Sequence, residues 1–227
     1  MPQVNQTLHR AARAPWRWAV AWWRIVHFGA LMLVLALSPS SYGAANRQAM
    51  ARHIYLDTAP VLTWFTVLCA LVSLVITRIV VVTALSYGLT QYALEMVIRV
   101  LVLELIPLTA ALFVALRCTI PNGAELAQMR RRGQLDALRA QGVDPVASEL
   151  LPRVVAGMFS VITLAALSCV VAMVLAYLAV YGFTLAGLPA YTRMFGQVFN
   201  PAVTLVFTLK TLFFSLAVSL MPMAAGL

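Results

Sequence analysis

The stretch TAPVLTWFTVLCALVSLVIT, residues 58–77, lies between Asp57 and Arg78 and contains no charged residue. Its twenty residues match the length at which an α-helix crosses the hydrocarbon core of a bilayer. The whole 227-residue chain is similar in character, with 63% hydrophobic residues, 10% charged residues and a mean hydropathy of +0.91. Soluble domains carry about a quarter charged residues, so this composition excludes a soluble domain. Its hydrophobicity excludes intrinsic disorder. We predict an integral membrane protein.

Three further stretches are apolar enough to span a membrane. The first span should end near Val82, and a turn should follow at Tyr87-Gly88. A second span is predicted over residues 95–117 and a third from Val154 to about Tyr181, with a Gly- and Pro-rich loop after it. A fourth is predicted over residues 201–222. The expected fold class is all-α, with about four transmembrane helices.

The basic residues predict which ends of the spans face the cytoplasm. They concentrate before the first span and between the second and third: Arg10, Arg13, Arg17, Arg24, Arg47, Arg52, Arg130, Arg131, Arg132, Arg139 and Arg153. The loop after the third span holds only Arg193, and the turn after the first holds none. Because Lys- and Arg-rich connections stay in the cytoplasm, both basic regions should be cytoplasmic, including the amino terminus.

Residues 1–55 form an amino-terminal region ahead of a predicted transmembrane domain at 56–227. On a helical wheel, arginines of this region fall within about 60° of one another, with tryptophans opposite and flanking. A basic and an aromatic face are typical of a helix in the membrane interface. The residues concerned are Arg13, Trp16, Arg17, Trp18, Trp22 and Arg24. A cleaved signal peptide is the alternative. The wheel favours the interfacial helix, continued by residues 28–37 as an elbow.

Four ionisable residues fall inside the predicted spans, where each needs a charged partner or a polar cavity. They are Glu95, Arg99, Glu104 and Lys210. Glu95 and Arg99 are spaced i, i+4 and should pair on one helix face. Glu104 lies deep in the second span, ahead of Pro107, which removes a backbone hydrogen bond and should kink the helix. A polar cavity beside the kink and an internal ion pair with Lys210 explain Glu104 equally well.

The connection between the second and third spans, residues 121–152, reads PNGAELAQMRRRGQLDALRAQGVDPVASELLP. Its mixed charge places it outside the bilayer. We predict one helix over about residues 124–140, opened by Pro121-Asn122 and closed by Gly142 and Pro145. The charge pattern alone would also fit a solvated linker. Nucleic acid is not an expected partner, because three arginines without a wider basic face bind phosphate weakly.

Four motifs follow one another in this part of the chain: Glu104-Leu105-x-Pro107, Ala124-Glu125-Leu126-x-x-Met129, Gln134-x-Asp136-Ala137-Leu138-x-x-x-Gly142-Val143-x-Pro145 and Pro152-Arg153-x-x-Ala156-Gly157. Together they resemble the MlaE (YrbE, Tgd-type) family of permeases, which belong to ABC transporters that move phospholipids or related lipids between membranes. That family normally has five spans. The sequence departs from its pattern at Gly133, where a glutamate is usual, and at Leu103, where an arginine is common.

The resemblance implies a complex with several partners. Two permease copies would form the membrane core, and each would bind a cytoplasmic ABC ATPase through a coupling helix within residues 121–145. The candidate ATPase contacts are Glu125, Met129, Arg130, Gln134 and Asp136. A periplasmic MCE-domain protein would continue the lipid path outward. The complex would lie in the bacterial inner membrane and serve the lipid asymmetry of the outer membrane.

The resemblance also implies where the transported phospholipid would lie, namely between the two copies and against the first and second spans. The candidate lipid-binding residues are Ile76, Thr83, Tyr87, Glu104 and Leu105. The apolar ones would contact acyl chains, and Glu104 and Tyr87 would be polar positions near the head group.

No catalytic residue, metal site or cofactor is expected in the chain itself. It has no Walker A motif, so ATP and magnesium would be used by the partner ATPase. Its cysteines (Cys69, Cys118 and Cys169) and histidines (His9, His27 and His53) lack the spacing of a zinc site. An enzyme is therefore not predicted. The alternative function is a non-transporting membrane anchor or assembly subunit, whose intramembrane charges serve only helix packing.

Overall fold

The computed structural model describes residues 23, 25–38 and 43–226. These residues form no strand, and four of their helices are long and apolar enough to cross a membrane. We number them as spans one to four: Asn46–Ser86, Tyr92–Arg131, Val146–Tyr181 and Pro201–Gly226. A shorter apolar helix, Ile25–Leu37, precedes them. The all-α membrane fold with four spans is therefore confirmed. The predicted interfacial residues Arg13, Trp16, Arg17, Trp18, Trp22 and Arg24 lie outside the described residues.

Consecutive spans run in opposite directions, so the first and third run side by side in the same direction. The hydroxyl groups of Thr58 and Ser160 join these two spans at 2.7 Å. One end of the bundle, which we call the basic end, holds the basic residues Arg47, Arg52, Arg130, Arg131, Arg132, Arg139 and Arg153. The opposite end, which we call the far end, holds the turn at Tyr87-Gly88 and residues 182–200.

The helix that contains the first span is longer than the sequence predicts. It runs from Ala44 to Ser86, a total of 43 residues. At a rise of about 1.5 Å per residue it is about 64 Å long, roughly twice the thickness of a hydrocarbon core. Met32 of the shorter helix Ile25–Leu37 is 2% exposed and packs in the core of the basic end with Leu126 and Met223. The elbow segment at 28–37 is thus part of the folded bundle.

Three π-helical segments occur in the described spans, and each ends two residues before a proline: Ile98–Leu105 before Pro107, Ala115–Thr119 before Pro121, and Val146–Leu150 before Pro152. A proline ring clashes with the carbonyl four residues earlier in an α-helix. The wider π turn, with i→i+5 bonds, moves that carbonyl away. The helix therefore widens ahead of Pro107 and continues through it, and the kink expected at this proline stays a prediction.

Side chains from other spans occupy carbonyls that these prolines leave without a donor. In the i→i+5 pattern, the N–H of residue 107 would donate a hydrogen bond to the carbonyl of Val102, but residue 107 is a proline and has no N–H. The Cys169 thiol donates to that oxygen at 3.5 Å. At the basic end, Pro152 leaves the carbonyl of Ala147 in the same position, and the Asn46 amide donates to it at 3.1 Å. Both prolines thus create links between spans, because buried carbonyls need a partner.

The second span continues through Pro121 to Arg131, so the prediction of one separate helix over residues 124–140 is wrong. Gly133 interrupts the helical run with φ of +70°, a left-handed conformation that glycine adopts without strain. A second, short helix then runs over Gln134–Ala140. The Ala115–Thr119 π segment ahead of Pro121 allows the span to pass through a residue that was expected to begin a new helix.

The loop predicted after the third span contains a helix instead, Leu188–Val198, preceded by the 3₁₀ turn Leu185–Gly187. Its apolar residues face the core of the far end, where Val198 is fully buried. The Tyr191 hydroxyl donates to the carbonyl of Met173 in the third span at 3.0 Å, and burial raises the pKa of this tyrosine. The proline and glycine within this helix do not prevent it, since Pro189 occupies the first turn, where proline is tolerated, and Gly196 lies in the last turns.

Two glycines allow the spans to approach closely at the basic end. A β-carbon on Gly123 would lie 2.5 Å from the carbonyl oxygen of Pro222 in the fourth span. A β-carbon on Gly157 would lie 2.7 Å from the Ser219 hydroxyl and 2.9 Å from a methyl group of Thr119. The second, third and fourth spans therefore meet at positions where small residues are required.

Candidate functional site

A straight row of exposed side chains runs along the second span. From Tyr92 to Ile120 every fourth residue is exposed: Tyr92, Met96, Val100, Glu104, Leu108, Leu112, Leu116 and Ile120. We call this row the stripe. All of its members are apolar or aromatic except Glu104. An apolar row is what a membrane-embedded surface requires, and a carboxylate in the middle of it is not.

The π-helical segments explain why the stripe is straight. An α-helix has about 3.6 residues per turn, so a row of every fourth residue would wind around it by about 40° per step. A π-helix has about 4.4 residues per turn and winds in the other sense. The segments Ile98–Leu105 and Ala115–Thr119 alternate with α turns within the stripe. The average is close to four residues per turn, and one face therefore stays exposed over the whole row.

Glu104 is paired with Lys210 of the fourth span. The Glu104 side chain is 67% exposed and the Lys210 side chain 22% exposed, so the carboxylate is the outer member of the pair. The Lys210 ammonium also donates to the carbonyl of Leu103 at 3.4 Å and lies 5.8 Å from the centre of the Phe214 ring. Of the two explanations given for Glu104 from the sequence, the ion pair with Lys210 is present.

Two apolar grooves meet at this ion pair. One, of about 230 Å³, extends along the fourth span and is lined by Leu103, Glu104, Ala202, Val203, Val206, Phe207 and Lys210. The other, of about 240 Å³, lies against the stripe and is lined by Val100, Glu104, Leu105, Leu108, Lys210 and Phe214. The charged pair is thus the only polar part of an otherwise apolar surface formed by these lining residues.

A third groove separates the first and second spans. It has a volume of about 200 Å³ and an almost wholly apolar lining: Phe65, Leu68, Cys69, Val72, Ser73, Leu101, Leu105, Ile106, Thr109, Leu112, Phe113 and Leu116. Leu112 and Leu116 belong to the stripe and also line this groove. Leu105 lines both this groove and the groove at the ion pair. The exposed surface around Glu104 therefore continues sideways into the cleft between the first two spans.

The structure brings together only some of the predicted lipid-binding residues. Glu104 and Leu105 line the groove at the ion pair, and Leu105 also lines the cleft between spans one and two. Thr83 and Tyr87 are exposed near the far end, with Tyr87 at 76%. Ile76 is half-buried against the core of the far end. The sequence reasoning missed the cleft residues of the first span, such as Phe65 and Val72, because nothing in a uniformly apolar run marks which side faces a groove.

At the basic end, Arg153 joins residues from two of the four motifs. Its side chain is 7% exposed. One guanidinium nitrogen donates to the Glu149 backbone carbonyl at 2.7 Å and to its carboxylate at 2.5 Å, and the other lies 3.7 Å from the Glu125 carboxylate. That second nitrogen also lies 3.8 Å from the sulfur of Met129. Arg153 therefore fixes the start of the third span against the last turns of the second.

The predicted ATPase contacts divide into two groups. Glu125 and Met129 face Arg153, and Met129 packs against the core of the basic end. Arg130, Gln134 and Asp136 are exposed, and Asp136 pairs with Arg139 at 3.5 Å on the short helix. The outward surface of this connection therefore comprises the end of the second span and the helix Gln134–Ala140.

The other charged pair predicted within the membrane is also present. The Arg99 guanidinium lies 2.9 Å from the Glu95 carboxylate, one turn apart on the second span. Unlike the Glu104–Lys210 pair, it lies near the far end and involves a single helix. Exposed i, i+4 pairs contribute little to stability, so this pair serves mainly to neutralise charge near the end of a span.

Comparison with known families gives a direct result. The sequence model of the family described as "Permease MlaE" matches residues 50–227, which include the first span from its fifth residue, the other three spans and the connection at the basic end. The chain belongs to the MlaE permease family. No curated protein matches the chain. The resemblance inferred from the four motifs is thus confirmed, and the protein is a multi-pass membrane protein of a permease family.

The structure gives the motifs of this MlaE permease physical roles. Pro107 and Pro152 create the free carbonyls that Cys169 and Asn46 occupy. Glu104 and Lys210 join the second and fourth spans. Arg153 holds the second span against the third, and Gly157 makes room for Ser219. These motif residues therefore lie where spans meet, and of them Glu104 also belongs to the exposed stripe.

Replacing Lys210 with methionine should destabilise the MlaE permease by about 1–3 kcal/mol, because Glu104 would be left without its partner within the membrane. Thermal unfolding of the purified protein in detergent would measure this. The double replacement Lys210→Met with Glu104→Gln should recover most of the loss, and Arg99→Met serves as the control at the single-helix pair. A Lys210→Met protein as stable as the wild type would contradict the prediction.

Proposed function

We propose that the protein is the permease subunit of an ABC transporter that moves phospholipids between membranes, with two copies forming the core. The observation that carries the proposal is the exposed Glu104 carboxylate halfway along the apolar stripe. Acyl chains of the bilayer offer it no partner, since a charged group in contact with lipid tails costs several kcal/mol. The stripe must therefore be covered by protein or border a polar cavity.

A second copy of the chain would cover the stripe with protein and would also enclose a cavity beside it. Most soluble and membrane homo-oligomers have closed symmetry, and a two-fold arrangement would place the stripes of both copies around one space. That space would be apolar along its walls, would contain two Glu104–Lys210 pairs, and would open sideways through the cleft between spans one and two. An apolar chamber with a few polar groups suits a phospholipid, which has long tails and a small charged head.

The basic end supports a role for an ATPase partner. The helix Gln134–Ala140 presents Gln134 and Asp136 to the outside, and Arg153 links the last turns of the second span, which lead to this helix, to the third span. The positive-inside rule puts this end in the cytoplasm, where ATP is available. We place the protein in the bacterial inner membrane, with an MCE-domain protein receiving lipid at the far end. The chain itself contributes no catalytic residue, and the ATPase uses ATP and magnesium.

A photocrosslinking side chain at Leu108, which is 51% exposed on the stripe, should capture a second permease copy and phospholipid in native membranes. Val174, 54% exposed on the third span, is the matched control and should capture lipid without a crosslinked dimer. Products are identified by mass. A crosslinked dimer from Val174 and none from Leu108 would overturn the proposed arrangement. The anchor or assembly alternative would be favoured if neither position captured a second copy.

A further inference from the structure

A fourth groove lies at the far end and shares no lining residue with the three grooves described above. It has a volume of about 370 Å³ and lies between the third span and the helix Leu188–Val198. Its lining residues are Val170, Met173, Val174, Tyr177, Leu188, Tyr191, Thr192 and Phe195. We propose that this groove binds one acyl chain of a phospholipid from the leaflet at the far end. The inference depends on the membrane fold and is independent of the proposed function.

The side chains that line this groove offer a ligand only carbon. Three of them carry a hydroxyl group, and each hydroxyl donates to a backbone carbonyl: Tyr177 to Thr184, Tyr191 to Met173 at 3.0 Å, and Thr192 to Leu188 at 3.0 Å. Each hydroxyl proton is thus used within the protein. A polar ligand would lose its hydrogen bonds to water here without gaining replacements, which is unfavourable. The lining therefore suits hydrocarbon.

The size of the groove fits a single acyl chain better than a helix of a partner protein. A helix with its side chains is about 10 Å across, so one turn of about 5.4 Å occupies roughly 420 Å³, which is more than the whole groove. A group the size of a water molecule or a methylene takes about 30 Å³ in a liquid, so the groove has room for about twelve of them. The walls are also held in place, because the rings of Tyr177 and Tyr191 pack edge to face with their centres 5.2 Å apart.

The helix Leu188–Val198 has the two-sided character of a helix in the membrane interface. At about 100° per residue, the exposed residues Arg193 and Gln197 fall on the side opposite the groove residues Leu188 and Phe195. A helix with one polar and one apolar side lies flat in the interface, with its polar side toward water and its apolar side toward the acyl chains. The groove is therefore on the side of this helix that faces the hydrocarbon of the leaflet.

The surroundings of the groove favour a phospholipid as the source of that chain. Val170 and Val174, one turn apart on the third span, form an exposed apolar wall, and Phe183 in the connection to the helix is 95% exposed. Such side chains require lipid around them. Arg193 is the one basic residue among residues 182–200, and a guanidinium group binds phosphate well. A phospholipid with its tail in the groove would have its phosphate at the level of the helix that carries Arg193.

The test uses the purified full-length protein in detergent micelles and a phosphatidylcholine probe with a photoreactive diazirine in one acyl chain. After illumination, the labelled peptides are identified by mass spectrometry. Labelling of residues 170–177 and 188–195 should level off near one probe per chain and should be displaced by unlabelled phosphatidylcholine. Ile162 is 40% exposed on the same span and lines none of the four grooves. Labelling around it should rise in proportion to the probe without levelling off.

Val174→Trp fills the groove and should lower labelling of residues 188–195 by about tenfold, the loss expected when about two methylene groups are no longer buried. Val170→Trp fills the same groove and keeps the test decisive if Val174→Trp folds poorly. Ile162→Trp adds the same ring elsewhere on the span and should leave this labelling unchanged. Labelling of the groove that does not level off, or that persists in both groove variants, would overturn the proposal. Capture of a protein in place of lipid by a photocrosslinking side chain at Val174 in native membranes would also overturn it.

Discussion

Replacing Gln134 with alanine and Asp136 with arginine should abolish co-purification of an ABC ATPase with the permease. Both residues are exposed on the short helix Gln134–Ala140. A partner surface that binds the Asp136 carboxylate would meet a positive charge instead and be repelled. The fold should persist, because the pair lost among the described residues is the exposed Asp136–Arg139 pair at 3.5 Å, and such pairs contribute little stability.

The effect would be read as the ratio of ATPase to permease after affinity purification, together with lipid-stimulated ATP hydrolysis. The wild type should give a ratio near one ATPase per permease, and the double variant less than about a tenth of it, as expected for an interface that loses a central charged contact. A matched control at the far end, Gln197→Ala with Arg193→Glu, also changes an exposed amide and reverses an exposed charge. An unchanged ratio in the Gln134–Asp136 variant would show that the ATPase binds elsewhere.

Replacing Gly123 with leucine should prevent the bundle from closing. A β-carbon at this position would lie 2.5 Å from the Pro222 carbonyl oxygen, and a β-carbon on the neighbouring Gly226 would lie 2.6 Å from the carbonyl of Gly123 itself. Backbone atoms on both sides cannot move aside as a flexible side chain can. Because overpacking costs about 1–3 kcal/mol even in tolerant cores, a leucine between two backbones should exceed that and separate the fourth span from the second.

The loss would appear as a low yield of monodisperse protein in size-exclusion chromatography and a melting temperature lower by roughly ten degrees or more for the fraction that folds. Gly196→Leu is the matched control, since a β-carbon there meets no atom within 4 Å and the residue also lies in a helix. A Gly123→Leu protein with the yield and melting temperature of the Gly196→Leu protein would show that the contact with Pro222 can be relaxed.

The parts of the structure that follow from local composition could be predicted. Long, predominantly apolar stretches predicted the four spans, because crossing the bilayer depends on length and apolarity. The Glu95–Arg99 pair followed from spacing on one helix. For Glu104, the sequence showed that a charge in the second span needs a partner or a polar cavity but could not decide between Lys210 and a cavity. Only packing of the second span against the fourth brings those two residues together.

The failures share a cause, namely prolines and glycines interpreted by their usual effect on a single helix. Pro121 was expected to begin a new helix, but the π-helical segment ahead of it keeps the second span continuous. Gly133 fell inside the single helix predicted over residues 124–140, and its left-handed conformation interrupts the helical run there. The cost of a wider turn is offset by contacts from other spans, such as the Cys169 thiol on Val102, which no local rule can see.

The four-residue winding of the second span has a mechanical consequence. A face on an ordinary helix spirals, so anything pressed against it must rotate as it advances. Along residues 92–120 the face does not spiral, and a shift of one turn, about 6 Å, brings a side chain of similar shape to the same orientation. An acyl chain or a neighbouring helix can therefore move along this face without rotating. Glu104 is the one charged side chain of the stripe that it would pass.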